Sequence, residues 1–107
     1  MQKLTETEIK NLIKEYLKLQ GFYTFWIMAG PMAAKGLPDR VAIKNDHVFF
    51  IEVKRENGKL SDDQIKFRDS LLPHCGGHTH YITARSLDDI AKIVREFGLE
   101  SQPCLWW

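Results

Sequence analysis

The sequence predicts an α/β fold, a mixed β-sheet flanked by helices. Segments with helical periodicity alternate with segments rich in β-branched and aromatic residues, in the order helix, strand, strand, strand, helix, strand, helix. The 107 residues, 44% of them hydrophobic, suffice to bury one core. We therefore expect a single domain that spans residues 1–107.

Charge and composition exclude several classes of protein. The formal net charge is only +1, so a chain that binds nucleic acid has to concentrate its lysines and arginines on one face. The polar start lacks the apolar core of a signal peptide, and no apolar run approaches the roughly 20 residues of a membrane span. Two cysteines do not make a disulfide framework, so we expect a cytoplasmic protein with free thiols and no membrane contact.

The first helix is predicted over residues 5–19. Thr5 and Glu8 have the spacing of a capping box at its start, and Gly21 is a natural stop. The capping box gives Glu8 a purely structural interpretation. The apolar stripe that this helix would bury contains Ile9, Leu12, Ile13, Tyr16 and Leu17.

The next segment, residues 22–28 (FYTFWIM), is predicted to be a buried strand. Its aromatic side chains are expected in the core rather than on a platform that stacks nucleic-acid bases. Residues 29–37 are predicted to form a loop, because glycine and proline punctuate them. In this loop Gly36 would let a backbone or a phosphate approach closely, and Lys35 would meet a DNA phosphate or simply be solvated.

Residues 39–44 and 47–54 are predicted to pair as a β-hairpin, with residues 45–46 (Asn-Asp) as its turn. If the loop has two residues, Asp39 stands opposite Glu52. Directly opposed residues have Cβ atoms roughly 4.5–5.5 Å apart, so two carboxylates would be held close together.

Two opposed carboxylates repel each other, and a divalent cation between them removes the repulsion. Mg²⁺ prefers one or two carboxylates together with waters and phosphate oxygens. Lys54 follows Glu52 by two positions on the same face and would add an ammonium beside the ion, which suits a phosphodiester substrate. Two other interpretations stay open: a register shifted by one, which pairs Arg40 with Glu52, and a surface cluster of weak ion pairs.

A second helix is predicted to begin at Ser61, after a polar turn. Ser61 and Gln64 form another capping box, so Gln64 has a structural interpretation beside one as a site residue. The helix ends at Leu72-Pro73, because proline cannot continue it. The face that it would turn inward contains Leu60, Gln64, Phe67 and Leu71.

Residues 74–80 (HCGGHTH) include three side chains of types that ligate zinc, namely Cys75, His78 and His80. Their spacing fits no standard zinc pattern, so we favour a loop followed by a strand over residues 78–83. Histidines that line a nucleic-acid face are a second alternative.

The last helix is predicted to begin at Ser86, capped together with Asp89, and to end at Gly98. The tail, residues 101–107, ends in Trp106-Trp107 and is expected to cover apolar surface on its own domain or on a second subunit. The inward side chains of the helix would be Leu87, Ile90, Val94 and Phe97.

Three strings in this order resemble the VRR-NUC family of the PD-(D/E)XK nuclease superfamily. They are GLPD at residues 36–39, IEVKR at residues 51–55 and GKLSDDQ at residues 58–64. Short stand-alone members of this family occur in bacteriophages and bacteria. The resemblance covers nearly the whole chain and implies a restriction-endonuclease-like αβββαβ core, in agreement with the predicted order of elements.

The resemblance also implies a catalytic site that contains Asp39, Glu52, Lys54, Gln64 and Glu8. Asp39, Glu52 and the backbone carbonyl of Val53 would hold Mg²⁺, for which Mn²⁺ would substitute. Lys54 would stabilise charge or help to position the attacking water, and Glu6 is the alternative to Glu8. The residues that would contact DNA are Lys35, Gly36, Arg55, Lys59 and Lys66.

We therefore predict a metal-dependent endonuclease that acts on DNA. By the same resemblance we expect a structure-specific enzyme that cuts four-way (Holliday) junctions as a homodimer, since two symmetry-related sites suit a junction whose paired strands are both cut. Flap, splayed or nicked DNA are alternative substrates, and a catalytically inactive nucleic-acid binding module is the alternative of a different class.

Overall fold

The structure, a computed structural model, describes residues 3–28 and 30–101, and these form a mixed sheet flanked by helices. The order of elements confirms the predicted α/β class, whereas the Trp106-Trp107 tail lies outside the described residues. The elements are α1 (Glu6–Leu19), β1 (Tyr23–Trp26), β2 (Arg40–Lys44), β3 (His47–Val53), α2 (Asp62–Leu71), a short 3₁₀ helix (Leu72–His74), β4 (Thr79–Ala84) and α3 (Leu87–Glu96).

The four strands lie in the order β1-β2-β3-β4. β1 pairs with β2 and β2 pairs with β3 in antiparallel fashion, and β3 pairs with β4 in parallel fashion. A parallel pair needs a crossover connection, which α2 and the 3₁₀ helix supply. The beginning of β2 and the end of β3 therefore lie side by side at one end of the sheet.

α1 and α3 pack on one face of the sheet and enclose the core. Within residues 3–28 and 30–101 no helix is long and apolar enough to cross a membrane. Leu12, predicted inward, is instead 42% exposed, because the contact buries only positions spaced four apart on α1. The buried core residues include Ile9, Ile13, Leu17, Phe49, Ile51, Val53, Ile90 and Val94.

The opposite face of the sheet is covered only in part, by α2. No residue of α2 is fully buried, so the prediction that its apolar face enters a core is wrong. Phe67 and Leu71 are half-buried. The position of α2 therefore depends on contacts at its start, which also adjoin the end of β3.

β1 is an exposed edge strand, and the prediction of a buried strand over residues 22–28 is wrong. The exposed fractions are 70% for Tyr23, 41% for Phe25 and 64% for Trp26. β1 has a neighbour on one side only, so its side chains lack partners on the outer side. Phe22, just before the strand, is the aromatic side chain of this segment that enters the core.

The β2–β3 hairpin turns through Asn45 and Asp46, whose φ angles are 49° and 70°. Positive φ at both central residues marks the type I′ turn, whose twist matches that of the flanking strands. Lys44 pairs with His47 across this turn, which confirms the predicted two-residue loop.

Candidate active site

The carboxylates of Asp39 and Glu52 meet where β2 begins and β3 ends. Arg40 pairs with Ile51, so the next step of the ladder places Asp39, and not Arg40, opposite Glu52. Oδ2 of Asp39 accepts a hydrogen bond of 2.7 Å from the backbone N–H of Val53. This bond fixes the Asp39 carboxylate beside the end of β3.

Glu52 is the only buried polar or charged residue of the part of the chain that the structure describes, with 2% of its surface exposed. Burial raises the pKa of Glu52, and the charge and hydrogen bond of the Asp39 carboxylate raise it further, to about 8. Lys54 and Lys10 lower this pKa without cancelling the rise. Without a cation, Glu52 therefore carries a proton at neutral pH for most of the time.

Lys54 lies beside Glu52 in the position that the sequence predicts. Its Nζ is 3.7 Å from Oε2 of Glu52, and its side chain is 15% exposed. The backbone N–H of Lys54 donates a 2.9 Å hydrogen bond to the carbonyl of Ala84 on β4, which holds the strand end in place. An ammonium group therefore stands next to the acid pair on a rigid element.

Lys10 of α1 is a site residue that the sequence analysis missed. Its Nζ lies 3.1 Å from Oδ1 of Asp39 and 3.5 Å from Oε2 of Glu6. Burial works to lower the pKa of Lys10, but the carboxylates of Asp39 and Glu6 outweigh burial and raise it. The spacing of Glu6 and Lys10 by four was the available signal, although it also describes an ordinary helix-surface pair.

Gln64 caps α2, which confirms its structural interpretation, and it also reaches Glu52, while its catalytic role stays a prediction. Its Oε1 accepts a hydrogen bond of 2.8 Å from the backbone N–H of Ser61, which completes the capping box of α2. Its Nε2 donates to Oε2 of Glu52 at 3.3 Å. The amide group therefore ties the start of α2 to the buried acid.

Glu8 lies at the start of α1 and caps it. Its carboxylate accepts a hydrogen bond of 3.0 Å from the backbone N–H of Thr5. This bond is the main cause that lowers the pKa of Glu8, and the hydrogen bond with the Thr5 side chain is the second. The acid of α1 that is linked to the site is Glu6, through Lys10 and Asp39. The structural interpretation of Glu8 is confirmed, and its catalytic role stays a prediction.

The carbonyl of Val53 faces the side of the strand on which Asp39 lies. In a trans peptide the N–H and the C=O point in opposite directions. The N–H of Lys54 points to β4, where it bonds to Ala84, so the carbonyl of Val53 points away from β4. The N–H of Val53 already bonds to Asp39 on that side.

The residues at this place fit a magnesium ion. Within residues 3–28 and 30–101 no group of three or more His, Cys, Asp or Glu side chains could hold a metal. Mg²⁺, however, needs only one or two carboxylates and completes its shell with waters and substrate oxygens. Burial and the neighbouring Asp39 carboxylate raise the pKa of Glu52 to about 8, and a cation bound between the two acids would offset both effects. The observed donor set, including the Val53 carbonyl, matches what Mg²⁺ prefers.

Gly36 lies directly against the start of α2. Its φ angle is +76°, and a Cβ atom at this position would collide with the backbone oxygen of Asp63 and approach the backbone nitrogen of Gln64. The close approach predicted for Gly36 is thus made by the protein backbone, and its contact with DNA stays a prediction. This packing of loop and helix places Gln64 within reach of Glu52.

The basic residues predicted to contact DNA lie exposed on the segments that adjoin the site. The turn after Lys54 is held by Arg85, whose guanidinium donates to the carbonyls of Arg55, at 3.1 Å, and of Gly58. No pattern in the sequence predicts this role for Arg85. The exposed basic residues are Lys35, Arg55, Lys59 and Lys66.

A histidine cluster lies at the other end of the hairpin, and the zinc interpretation finds no support there. Nδ1 of His47 is 2.8 Å from Nε2 of His80, and the rings of His47 and His78 are 4.5 Å apart. Burial lowers the pKa of His80, and the two neighbouring histidines lower it further. Phe97, predicted inward, covers the His80 ring while 41% exposed. The partner brought to His78 and His80 is thus His47 rather than Cys75.

Comparison with known proteins identifies the fold. No protein-family model and no curated protein matches the chain. A solved structure described as "VRR_NUC domain" is similar with a TM-score of 0.69 and 18% identity, over 88% of this chain and 99% of its own. A second, described as "VRR_NUC domain protein", has the same score and identity over 94% of this chain and 93% of its own. The predicted resemblance is confirmed at the level of the fold: the chain has the fold of VRR_NUC domain proteins.

Proposed function

We propose that this protein is a metal-dependent endonuclease that cleaves DNA. The observation that carries the proposal is the position of Asp39 opposite the buried Glu52 at the end of the hairpin, where its carboxylate is bonded to the backbone of Val53. A buried acid with a pKa of about 8, beside a second acid and two lysines, is typical of a site that takes up a cation and a phosphate. The fold shared with VRR_NUC domain proteins supports a nuclease.

Each residue of the site has a role in this reaction. Asp39, Glu52 and the carbonyl of Val53 would hold Mg²⁺ or Mn²⁺, which would polarise a phosphoryl oxygen and activate water. Lys54 supplies an ammonium that stabilises the negative charge developing on the phosphate. Gln64 holds the Glu52 carboxylate in place through its amide.

Exposed cations near the site would bind the DNA backbone. Phosphate contacts give affinity and a strong dependence on salt, but they do not read the sequence of bases. We therefore propose recognition of DNA structure rather than sequence. The contacting residues would be Lys35, Arg55, Lys59 and Lys66, with the backbone of Gly36.

The substrate that we propose is branched DNA, in particular a four-way junction, cut by a homodimer in the cytoplasm of a bacterial or phage-infected cell. A two-fold symmetric pair of sites matches the two strands that must be cut in a junction. Flap, splayed and nicked DNA are the alternative substrates for the same chemistry.

A cleavage assay tests the nuclease proposal. Labelled four-way junction, flap, splayed, nicked, duplex and single-stranded DNA are incubated with Mg²⁺, Mn²⁺ or EDTA. We expect cleavage only with metal, and a loss of rate of about 100-fold or more in Asp39→Asn and Lys54→Ala, the scale seen when a charge-stabilising group is removed. Lys92→Ala is the matched control, because this exposed lysine lies on α3, away from the site, and should cleave like the native protein.

Two results would redirect the proposal. Tight binding of DNA without cleavage in either metal would favour the inactive binding module. Faster cleavage of a flap or a nick than of a junction would replace the junction as the substrate and leave the metal-dependent chemistry in place.

A further inference from the structure

A groove opens beside Asp39, between α1 and the edge of the sheet. It has a volume of about 490 Å³, within the range of about 300–1,000 Å³ that ligand sites occupy. Asp39 and Val53 line its inner end, so the groove is continuous with the candidate catalytic site. None of the residues for which the sequence predicts DNA contact lines it.

Trp26 lines this groove and does not belong to the buried core. Its indole is 64% exposed, at the end of an edge strand. Trp26 pairs directly with Arg40, so both side chains leave the sheet on the same face. A large exposed aromatic surface beside cations is the combination that single-stranded nucleic-acid sites use, in which bases stack on the ring and the backbone follows the charges.

The charge of the groove suits a phosphate. Lys10, Lys14 and Arg40 line it, and Asp39 is its one acid. Arg40 is anchored, since its guanidinium donates to Oγ1 of Thr24 at 3.1 Å.

Lys14 and Arg40 differ in how they are held. Nζ of Lys14 is only loosely paired, 3.8 Å from a carboxylate oxygen of Glu15. Arg40 is half-buried and its guanidinium is bonded to Thr24, so this group is partly withdrawn from water. A partly desolvated guanidinium gains more from a phosphate than a fully solvated one.

We propose that this groove holds one unpaired nucleotide of the substrate, with its base stacked on Trp26 and its phosphate on Lys14 and Arg40. A base inside a duplex already has both faces covered by its neighbours, so Trp26 can stack only on a base that has left the helix. The groove thereby selects DNA in which a nucleotide next to the phosphate held at Asp39 is unpaired or leaves the stack at a branch point. The inference rests on the proposed nuclease function, from which it takes DNA as the ligand. It makes Trp26 a residue that determines specificity.

Binding measurements with Ca²⁺ in place of Mg²⁺ test this inference apart from cleavage. The probes are two duplexes of equal length, one fully paired and one with a single unpaired 2-aminopurine, whose fluorescence falls when it stacks. We expect the native protein to quench the 2-aminopurine and to prefer the interrupted duplex. In Trp26→Leu we expect quenching to disappear and affinity for that duplex to fall about tenfold, while affinity for the paired duplex is unchanged.

Two further variants separate stacking from general damage. Trp26→Phe keeps an aromatic face and should retain most of the preference. Tyr23→Leu removes an equally exposed aromatic ring from the same strand but from the other face of the sheet, and should leave the ratio of the two affinities unchanged. Melting temperatures close to that of the native protein show that each variant is folded.

The inference is overturned if the native protein binds both duplexes equally or neither, or if Trp26→Leu weakens both to the same extent. Failure of the proposed nuclease function looks different. In that case 2-aminopurine would still be quenched by Trp26 with Ca²⁺, but no DNA would be cut with Mg²⁺ or Mn²⁺. Cleavage that is indifferent to Trp26 would retain the nuclease and remove only the stacking site.

Discussion

The raised pKa of Glu52 would couple protonation to binding of the proposed cation at a single residue. Between the ordinary value of 4.5 and about 8, the folded protein holds a proton that the unfolded chain releases. The stability that this proton contributes is present at low pH and is lost as the pH rises toward and through 8. The proposed divalent cation would displace the same proton, so its affinity should increase over the same range of pH.

Replacing Glu52 by glutamine should therefore stabilise the metal-free protein at high pH. At pH 8.5 in EDTA we expect Glu52→Gln to melt about 4 °C or more above the native protein, which corresponds to about 1 kcal/mol in a domain of this size. At pH 5 the two should melt alike, because Glu52 is then protonated in the native protein. Addition of Mg²⁺ at pH 8.5 should raise the melting temperature of the native protein only.

Glu96→Gln is the control for this pair of melts, since Glu96 is exposed at the end of α3. It should follow the native protein at every pH and with Mg²⁺. A Glu52→Gln protein that is less stable than the native one at pH 8.5 would contradict the raised pKa and, with it, the need for a cation.

Three residues of the candidate site can be predicted from the sequence, whereas Lys10 cannot. Asp39, Glu52 and Lys54 follow from strand alternation and a two-residue turn, which are local rules. Lys10 reaches Asp39 across a tertiary contact between α1 and the sheet, and no local rule predicts which face of an amphipathic helix will meet which strand end. The dual bonding of Gln64 was visible only as two competing interpretations.

At the scale of elements, α2 is positioned by its first turn rather than by a buried face. None of its residues is fully buried, while Gly36 packs against the backbone at Asp63 and Gln64. A side chain at Gly36 would both strain the positive φ and push α2 away. The consequence would reach Glu52, because Gln64 moves with the helix.

Gly36→Ala should lower the free energy of unfolding by about 2 kcal/mol or more, the combined effect of strain and overpacking. It should also reduce cleavage at temperatures at which the variant is still folded. Urea unfolding and the junction assay measure the two effects. Gly30→Ala is the matched control, because this glycine of the same loop has open space where a Cβ would stand, and it should change neither.

The helices and strands could be predicted where the sequence pattern is local. The prediction of buried residues failed where burial depends on neighbouring elements. The β2–β3 hairpin and the capped helices are set by turn and capping residues. The aromatic run at residues 22–28 looks like a core strand, yet β1 is the edge of the sheet, and a sequence pattern does not reveal strand order. Because the strand was expected to be buried, Trp26 was not predicted to be an exposed binding residue, although it is 64% exposed.

At the scale of the molecule, the sheet is covered unevenly. Two helices enclose one face, whereas α2 covers only part of the other.

The proposed junction substrate requires two copies of the site with two-fold symmetry. We therefore expect a homodimer, and light scattering after size exclusion should give twice the chain mass of 12.5 kDa.

The dimer should also cut both strands of a junction within one binding event. Cleavage of a junction in a supercoiled plasmid, followed over time, distinguishes paired from single nicks. A protein that remains monomeric at the concentrations used, and that releases nicked junctions, would remove the basis for paired cleavage while retaining each single site.

The length of the hairpin turn is part of the chemistry at the far end of the hairpin. From Asn45 to Asp39 the strand spans about 19–20 Å at 3.2–3.4 Å per residue, so the turn never touches the acids. Yet one inserted residue there, if the loop keeps two residues and the strands slip by one, would shift every facing pair and bring Arg40 opposite Glu52. If the site has the proposed function, other two-residue turns can replace Asn45-Asp46 during divergence, and a protein descended from this chain would keep its turn length longer than its turn sequence.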